Sequence, residues 1–406
     1  MAVPFVEFRN VNKRFGNNQV LNNADLTIQR GEITTIIGKS GVGKSVLLKH
    51  IIGLLTPDSG QILYEGRPLS EMTRKERKAL KKRFSYMFQG TALFDSMTVF
   101  ENVALPLKEA TTLPDKEIKR IVQERIHNLD LYDLEQKYPS QLSGGMQKRV
   151  ALARALVTDP EIVLFDEPTT GLDPIRKNAV HSMIADYQKR FGFTGVIVSH
   201  EIPDVFYISQ RVAFIDEGRI VFQGTPRELQ HVTDPHISEF VRGLERGRQD
   251  LTGLAPPSQG EKWFDEEMSH MKRHKIDFSL GVLSIQNLDE ISTKAEFHSF
   301  HTIFTRYAGF VQKTLRITDS SSRYGLYEIM LLLSHTDLEQ AKTFSTRLKS
   351  ELNMQGRGIV GQRLDPDISF SVTLGVAQAR EDSDLLELLT MAESKRETLF
   401  EYRIDQ

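Results

Sequence analysis

The segment that decides the fold is a glycine-rich octapeptide, Gly38-Lys39-Ser40-Gly41-Val42-Gly43-Lys44-Ser45. It lies between an apolar, strand-like run at Ile33–Ile37 and a helix-like run at Val46–Leu55. Glycines allow successive backbone N–H groups to point into one hollow, and the following helix directs its positive end to the same point. The sequence therefore predicts a strand, a phosphate-binding loop and a helix, in that order.

Two side chains of this loop have specific predicted roles. Lys44 is expected to reach the β- and γ-phosphates of a nucleotide, and the Ser45 hydroxyl is expected to hold Mg²⁺. The predicted cofactors are therefore ATP and Mg²⁺, and all eight residues of the loop belong to the predicted binding site.

Three further motifs follow in a fixed order. Leu142–Gln147 reads LSGGMQ, Ile162–Pro168 reads IVLFDEP, and Thr169–Pro174 reads TTGLDP. With these motifs the chain resembles the ATP-binding cassette (ABC) transporter ATPases, since they are similar to that family's signature, Walker B strand and D-loop. Gln89 stands where the family has its Q-loop glutamine, and Phe15 where it has an aromatic residue that stacks on adenine. The resemblance implies an α/β P-loop domain with a mixed-sheet core and a helical signature subdomain.

Several predicted catalytic and metal-binding residues lie at or directly after the ends of two apolar runs, Ile162–Phe165 and Gly195–Ser199. Asp166 ends an apolar strand, so its carboxylate should emerge beside the phosphate loop and hold Mg²⁺ through the hydration shell. Glu167 is the predicted base that orients the attacking water. By resemblance, Gln89 senses metal and water, and His200 contacts the γ-phosphate. The metal ligands are thus Ser45, Gln89 and Asp166, and the catalytic residues are Glu167, Gln89 and His200.

The signature motif has a consequence for assembly. By resemblance, Ser143, Gly144 and Gly145 cap the ATP that is bound to a second ATPase domain, and Asp173 of the D-loop crosses the same interface. The chain contains one copy of each motif. It is therefore expected to form a two-fold homodimer with two ATP molecules between the subunits.

Composition narrows the choice of partners. The formal net charge is −2 and there is no cysteine, so neither nucleic-acid binding nor a thiol-ligated metal is predicted. The longest apolar runs, such as Ile329–Leu333, are far shorter than the about 20 residues of a membrane helix. Taken together with the resemblance to transporter ATPases, in which the segment that corresponds to Gln89–Leu107 contacts the permease, this implies a chain that lies peripherally on the cytoplasmic face of the inner membrane, held there by a separate integral membrane permease.

The amino-acid sequences of three segments favour one branch of the family. Ala92–Leu107 (ALFDSMTVFENVALPL), Gly41–Leu55 and Pro139–Leu156 resemble the Mla-type ATPases, which power phospholipid transport with a permease and an MCE-domain lipid-binding protein. The alternative is an importer ATPase for methionine or another small solute. The cargo and the direction of transport stay open.

The chain is predicted to hold two domains. An ABC domain spans 1–247, a linker rich in Pro, Gly and Ser spans 248–260, and an α+β domain of a ferredoxin-like kind spans 261–406. In this second domain, SRYGLYEIMLLL at Ser322–Leu333 resembles the hairpin of GGDEF domains, the fold of diguanylate cyclases. The final segment, Asp384–Tyr402, is predicted to be a helix.

The GGDEF-like hairpin lacks most of the residues that the resemblance requires for catalysis. Leu326 replaces the second glycine, and Tyr327 replaces a metal-binding acid. The acidic positions of the preceding strand fall on Ser284 and Gln286, so only Glu328 remains. Because Mg²⁺ needs carboxylates to hold a triphosphate, no cyclase activity is expected.

A candidate regulatory site precedes the hairpin. Arg316 and Asp319 are followed by five residues and then Gly325, a spacing that resembles the Arg-x-x-Asp inhibitory site of many GGDEF domains. Arg316 can pair with a phosphate or a guanine edge, and Asp319 can accept guanine N–H groups. One hypothesis is that the domain binds cyclic di-GMP and couples it to transport. The alternatives are a chance or relic pair, and a scaffold that stabilises the dimer without a ligand.

Overall fold

The structure is a computed structural model of the chain. It describes residues 3–88, 90–172, 174–199, 204–230, 232, 234, 237, 252–286, 297–325, 327–360 and 369–402. The chain divides into two compact units, Met1–Leu229 and Gln230–Gln406. The division falls earlier than the predicted boundary at 247, and residues 238–250 lie outside the described ranges.

The first unit contains ten strands and seven α-helices within the described residues. Its strands are β1 (Val6–Phe15), β2 (Asn18–Ile28), β3 (Ile33–Ile37), β4 (Ser59–Tyr64), β5 (Arg67–Pro68), β6 (Phe84–Met87), β7 (Ile162–Asp166), β8 (Thr194–Ser199), β9 (Arg211–Asp216) and β10 (Arg219–Gly224). Its helices are α1 (Lys44–Ile51), α2 (Arg74–Lys81), α3 (Val99–Ala110), α4 (Asp115–Asn128), α5 (Gly144–Leu156), α6 (Pro174–Phe191) and α7 (Pro226–Gln230).

Two sheets organise this unit. A mixed sheet has the order β10-β9-β3-β8-β7-β6, in which only the β9–β10 pair is antiparallel. A second, antiparallel sheet has the order β2-β1-β4-β5. Every residue of β3 and of β8 is buried, as expected for central parallel strands that are covered on both faces. The carboxyl ends of β3, β7 and β8 therefore meet at one edge of the mixed sheet, where ligands of such sheets bind.

A helical part lies beside the mixed sheet. Helix α3 packs against α4 and α5. Thr98 begins α3 with a reciprocal cap, because its hydroxyl accepts from the backbone N–H of Glu101 while the Glu101 carboxylate accepts from the backbone N–H of Thr98. Ser143 caps α5 in a simpler way, by accepting a hydrogen bond from the N–H of Met146.

The second unit is built around one antiparallel sheet. Its strands are β11 (Ser279–Gln286), β12 (Ser320–Gly325), β13 (Glu328–Leu333), β14 (Phe370–Gln378) and β15 (Glu397–Tyr402), in the order β12-β13-β11-β14-β15. Its helices are α8 (Pro257–His274), α9 (Phe297–Thr314), α10 (Leu338–Val360) and α11 (Leu385–Ser394). Leu280 and Val282 of the central strand pack in a core with apolar side chains of α8 and α11.

The predicted helix over Asp384–Tyr402 is wrong in its second half. Helix α11 ends at Ser394, and the chain continues as the edge strand β15. The reason is side-chain packing, since Tyr402 stacks on Phe370 of β14 with ring centroids 5.2 Å apart. Aromatic and β-branched residues favour such a pleated, half-buried surface over a helix.

The segment predicted as a linker, 248–260, also differs from expectation. Leu254 is buried, and the carbonyl of Ala255 accepts a hydrogen bond from the N–H of Arg323 in β12. Helix α8 then begins at Pro257, so the last four residues of the segment are helical. Proline is favoured at the first position of a helix because its φ is already helical and its missing N–H has no intrahelical role there.

No membrane-spanning helix was expected from the sequence. Among the residues that the structure describes, none of the helices has the combination of length and apolar character that crossing a bilayer requires.

Candidate functional site

The phosphate loop connects the carboxyl end of β3 to α1, as predicted. Gly43 immediately precedes α1 with φ of 111°, a backbone conformation that L-residues with a side chain rarely adopt. A Cβ atom at Gly38 would lie 2.4 Å from the backbone oxygen of Ile215. Lys39, Ser40, Gly41 and Ser45 are exposed, and Val42 is half-buried. The loop therefore presents its own backbone and a few polar groups to solvent.

Lys44 is almost completely buried under this loop. Its exposed fraction is 6%, and its Nζ donates to the carbonyls of Gly38 at 2.8 Å and Lys39 at 2.9 Å. Burial lowers the pKa of Lys44, while the negative charges of Glu167 and Asp166 act in the opposite direction. The positive charge of Lys44 thus lies at the centre of the loop, where the phosphates of a nucleotide are expected.

The predicted metal ligands Ser45 and Asp166 come together. The Ser45 Oγ donates to Asp166 Oδ1 at 3.4 Å, across the gap between α1 and the end of β7. A hydroxyl and a carboxylate are the hard oxygen ligands that Mg²⁺ prefers, so these residues fit the ion. The other carboxylate oxygen, Asp166 Oδ2, accepts a hydrogen bond of 2.7 Å from the hydroxyl of Tyr86.

Glu167 directly follows the last residue of β7. Its φ is 49°, in the left-handed region, and its N–H donates to the carbonyl of Val198 at 3.0 Å. Its Oε2 accepts a hydrogen bond of 3.0 Å from Thr170. Uncommon backbone conformations of this kind concentrate at functional sites. The carboxylate is therefore held in one place beside the loop.

Phe15 and the signature residues are both accessible. Phe15 ends β1 with 47% of its surface exposed, and the Nζ of Lys13 lies 5.6 Å from its ring centroid. Ser143, Gly144 and Gly145 are exposed at the first turn of α5, and no atom lies within 4 Å of where a Cβ would be placed on either glycine. An aromatic face and a helix N-terminus are thus available for a nucleotide.

Three predicted site residues, Gln89, Asp173 and His200, lie outside the described residues. Their assigned roles in metal sensing, in the dimer interface and at the γ-phosphate stay predictions.

Two residues that were not predicted from the sequence, Tyr86 and Arg154, form hydrogen bonds at or near the candidate site. Besides Tyr86, Arg154 of α5 donates to the carbonyls of Thr91 and Ala92, both at 2.7 Å. Thr91 and Ala92 both have positive φ, and burial lowers the pKa of Arg154. The arginine therefore fixes an irregular part of the segment between Gln89 and α3. This role of Arg154 could not be predicted from the sequence, because its partner Ala92 lies in a loop 62 residues earlier.

The GGDEF-like hairpin of the second unit is closed by an internal ion pair. Glu328 is buried, and its Oε1 accepts from Arg396 Nη2 at 2.9 Å and from Ser284 Oγ at 3.3 Å. Tyr327, in the place of a metal-binding acid, packs edge-to-face against Phe304 with centroids 5.9 Å apart. The one acid that remains is thus neutralised by a guanidinium group. Leu326 lies outside the described residues.

Arg316 and Asp319 lie together at a cavity of the second unit. Its lining residues come from the β12–β13 region, from the start of α10 and from the turn before β12: Arg316, Asp319, Leu333, Thr336, Gln340, Thr343, Phe344 and Arg347. Asp319 Oδ2 accepts from the backbone N–H of Arg316 at 2.9 Å, while Oδ1 is buried with no hydrogen-bond partner among the described residues. Burial raises the pKa of Asp319.

The cavity also contains a second guanidinium group that the sequence did not reveal. Arg347 of α10 donates to the carbonyl of Thr314 at 2.9 Å, and its guanidinium lies 5.5 Å from the ring centroid of Phe344. Two arginines, one carboxylate and one aromatic ring therefore face the same space. The local pattern over Arg316–Gly325 cannot show this, since Arg347 lies in α10, which begins beyond the hairpin.

Comparison with known proteins identifies both parts of the chain. Residues 21–170 match the family described as ABC transporter. Residues 249–399 match the family described as diguanylate cyclase, GGDEF domain, and this match begins inside the segment predicted as a linker.

Several relatives are ATP-binding proteins of transporters. The intermembrane phospholipid transport system ATP-binding protein MlaF of Escherichia coli (strain K12) is 39% identical over 242 residues, which cover 60% of this chain and 90% of MlaF. The Fe(3+) ions import ATP-binding protein FbpC of Vibrio cholerae is 35% identical over 327 residues, 80% of this chain and 87% of FbpC. A solved structure, cbiO1 of Clostridium perfringens, part of the ABC transporter complex cbiONQ, has a TM-score of 0.52 and 31% identity, covering 58% of this chain and 98% of cbiO1.

The chain therefore belongs to the family of ABC transporter ATP-binding proteins, and it carries a GGDEF domain in addition. The predicted fold class, a P-loop ABC domain with a mixed sheet followed by a smaller GGDEF-type domain, is confirmed. The predicted relationship to the Mla ATP-binding proteins is confirmed as well.

Proposed function

We propose that this chain is the ATP-hydrolysing subunit of a transporter that moves phospholipid across the Gram-negative envelope. The observation that carries the proposal is the 39% identity to a phospholipid-transport ATP-binding protein, which the chain covers over 90% of its length. The chemistry of Lys44, Ser45, Asp166 and Glu167 supports ATP hydrolysis at the edge of the mixed sheet. An importer for a small solute is the second candidate, because FbpC is also a relative.

Each residue of the site has one task in this proposal. The Lys44 ammonium and the N-terminus of α1 bind the phosphates, and Ser45 and Asp166 hold Mg²⁺. The ion, when bound, neutralises charge that develops on the phosphates. Glu167 accepts a hydrogen bond from the attacking water and directs it in line, because its backbone is fixed to β8. Phe15 stacks on the adenine, and Gln89 and His200 complete the site.

The active form is a homodimer in this proposal. The first turn of α5 is exposed, so Ser143, Gly144 and Gly145 can contact the phosphates of ATP on a second subunit. Asp173 crosses the same interface. The dimer is held on the cytoplasmic face of the inner membrane by an integral membrane permease, together with an MCE-domain lipid-binding protein.

Copurification tests the transport class. A tagged chain, purified in mild detergent from membranes of its own organism, is expected to carry a permease and an MCE-domain protein in stoichiometric amounts by mass spectrometry. Expressed without these partners, the chain is expected to remain in the supernatant after ultracentrifugation. A permease accompanied by a periplasmic solute-binding protein would support the importer, and stable insertion of the lone chain into membranes would contradict peripheral attachment.

The GGDEF domain is catalytically inactive in this proposal. The buried pair between Arg396 and Glu328 supports inactivity, since it occupies the only acidic group left at the hairpin. Ser284 supplies a hydroxyl in place of a carboxylate. A site with one neutralised acid cannot hold the Mg²⁺ that a triphosphate requires.

The same domain regulates transport by binding cyclic di-GMP. The cavity at Arg316, Asp319 and Arg347 supports this part of the proposal, because guanidinium groups bind phosphate and a carboxylate can accept a guanine N–H. Coupling requires that the ligand favours one arrangement of the paired domains over another. The alternative function of this domain is that of a scaffold, which stabilises the dimer without binding a ligand.

Calorimetric titration of the full-length chain with cyclic di-GMP distinguishes a cyclic di-GMP receptor from a ligand-free dimerisation scaffold. We expect exothermic binding by the wild type and at least a tenfold weaker affinity for Arg316→Ala and for Arg347→Ala, because each loses a charge-assisted contact of about 1.5–3 kcal/mol. Arg380→Ala, which removes an exposed arginine after β14, is the matched control and should bind normally. No heat with the wild type, or equal binding by Arg316→Ala, would leave the scaffold as the function of the domain.

A further inference from the structure

Tyr86 lies on the strand next to the predicted metal-binding carboxylate. Strands β6 and β7 are parallel, and Tyr86 pairs with Leu164 in their register. Side chains alternate between the two faces of a sheet, so Tyr86, Leu164 and Asp166 share one face. The Tyr86 hydroxyl reaches Asp166 Oδ2 with a hydrogen bond of 2.7 Å, a strong interaction between a phenol and a carboxylate.

The two oxygens of Asp166 consequently have different partners. Oδ2 accepts from Tyr86, and Oδ1 accepts from the hydroxyl of Ser45 at 3.4 Å. A carboxylate that is held at one oxygen loses freedom to rotate about its terminal torsion, which is otherwise broad. The hydrogen bond from Tyr86 therefore keeps Oδ1 directed at Ser45, the other predicted ligand of Mg²⁺.

The ring of Tyr86 is itself held by packing. Its centroid lies 4.5 Å from that of Phe88, and it packs against the buried core of the first unit. Phe88 is 52% exposed and directly precedes Gln89. A hydroxyl carried by a ring that is fixed in this way is a preorganised donor, as the support of a metal site requires.

We propose that Tyr86 is a positioning residue for Mg²⁺, which orients Asp166 from the adjacent strand; the proposal rests on the ATPase function proposed above. Ligating carboxylates are commonly held by such hydrogen bonds, and loss of the partner typically costs roughly 10–100-fold in metal affinity. Tyr86 contacts neither nucleotide nor metal in this role and acts through Asp166 alone.

Metal affinity of Tyr86→Phe tests the proposal without reliance on turnover. Mn²⁺ serves as the probe, and its binding to the full chain in the presence of a non-hydrolysable ATP analogue is followed by electron paramagnetic resonance. We expect the dissociation constant for Mn²⁺ to rise about tenfold in Tyr86→Phe, at the lower end of the usual range. Binding of a fluorescent ATP analogue in EDTA should be unchanged, because Lys44 and the loop are intact. In ATPase assays the Mg²⁺ concentration for half-maximal rate should rise in parallel.

Tyr64→Phe is the matched control, since it removes the same hydroxyl from another tyrosine of this domain, one that is 2% exposed. The Tyr64 hydroxyl donates to the carbonyl of Ile51 at 2.6 Å, at the far end of α1. Its loss should lower the melting temperature and leave Mn²⁺ affinity unchanged. Unchanged or tighter Mn²⁺ binding by Tyr86→Phe would overturn the role of Tyr86. A wild-type chain that binds no Mn²⁺ with the ATP analogue would overturn the ATPase proposal together with it.

Discussion

Replacement of Glu167 by glutamine is expected to preserve ATP binding and to slow hydrolysis by roughly 10²–10⁴-fold, the contribution of a positioned general base. Glutamine has nearly the same shape, so the bond from Thr170 and the backbone bond to Val198 can persist. The side chain then no longer accepts a proton from water. Because the phosphates stay bound and intact, the ATP-bound homodimer should accumulate, which size-exclusion chromatography with Mg-ATP measures.

Glu161→Gln is the control for this variant, since Glu161 lies immediately before the opposite end of the same strand, β7. Its carboxylate pairs with Arg83 and Arg30 at the surface, and both partners of these pairs are at least a quarter exposed. Its loss should therefore change stability slightly and turnover very little. Normal turnover by Glu167→Gln would remove Glu167 from the catalytic role, and monomers in Mg-ATP would count against the sandwiched dimer.

The phosphate loop could be predicted because its eight residues, Gly38–Ser45, are contiguous in sequence. The loop between β3 and α1 needs glycine for steric reasons that are local, as the positive φ of Gly43 shows. Asp166 ends one apolar strand and Glu167 follows it, and that strand is predicted from its own five residues, Ile162–Asp166. The meeting of Ser45 with Asp166 then follows from the rule that parallel strands end at one edge.

Contacts that depend on strand order could not be predicted in the same way. Tyr86 meets Asp166 only because β6 is the neighbour of β7, whereas 74 residues separate these two strands in sequence. Arg347 meets Asp319 only because α10 packs back toward the turn before β12. No local pattern marks either residue, and tertiary packing decides both.

The two errors in the second domain have physical causes of the same kind. The segment Glu397–Tyr402 was open to a helical interpretation because it continues the charged, apolar spacing of α11. Pairing with β14 outweighs that spacing, since it buries Leu399 and Phe400. The start of α8 was obscured by Pro256 and Pro257, although Phe264, Met268 and Met271 have helical spacing and are buried on one face.

Replacement of Lys44 by alanine is expected to abolish detectable nucleotide binding. Lys44 is the buried cation of the loop, and it loses two charge-assisted contacts to phosphate in the variant, about 3–6 kcal/mol or roughly 10²–10⁴-fold in affinity. The acidic side chains of Glu167 and Asp166, which the ammonium faces in the wild type, would then repel the phosphates. Fluorescence titration with a labelled ATP analogue measures the loss.

Lys49→Ala separates this effect from a general loss of positive charge. Lys49 is an exposed lysine in the last turn of the same helix, α1, so the variant has the same net charge as Lys44→Ala. It should bind the analogue with wild-type affinity. Lys44→Arg adds a second constraint: the larger, planar guanidinium has no space where the 6%-exposed ammonium lies, so charge alone should not restore binding. Full binding by Lys44→Ala would mean that the octapeptide is a turn before a helix, and the proposed chemistry of the whole sheet edge would fail with it.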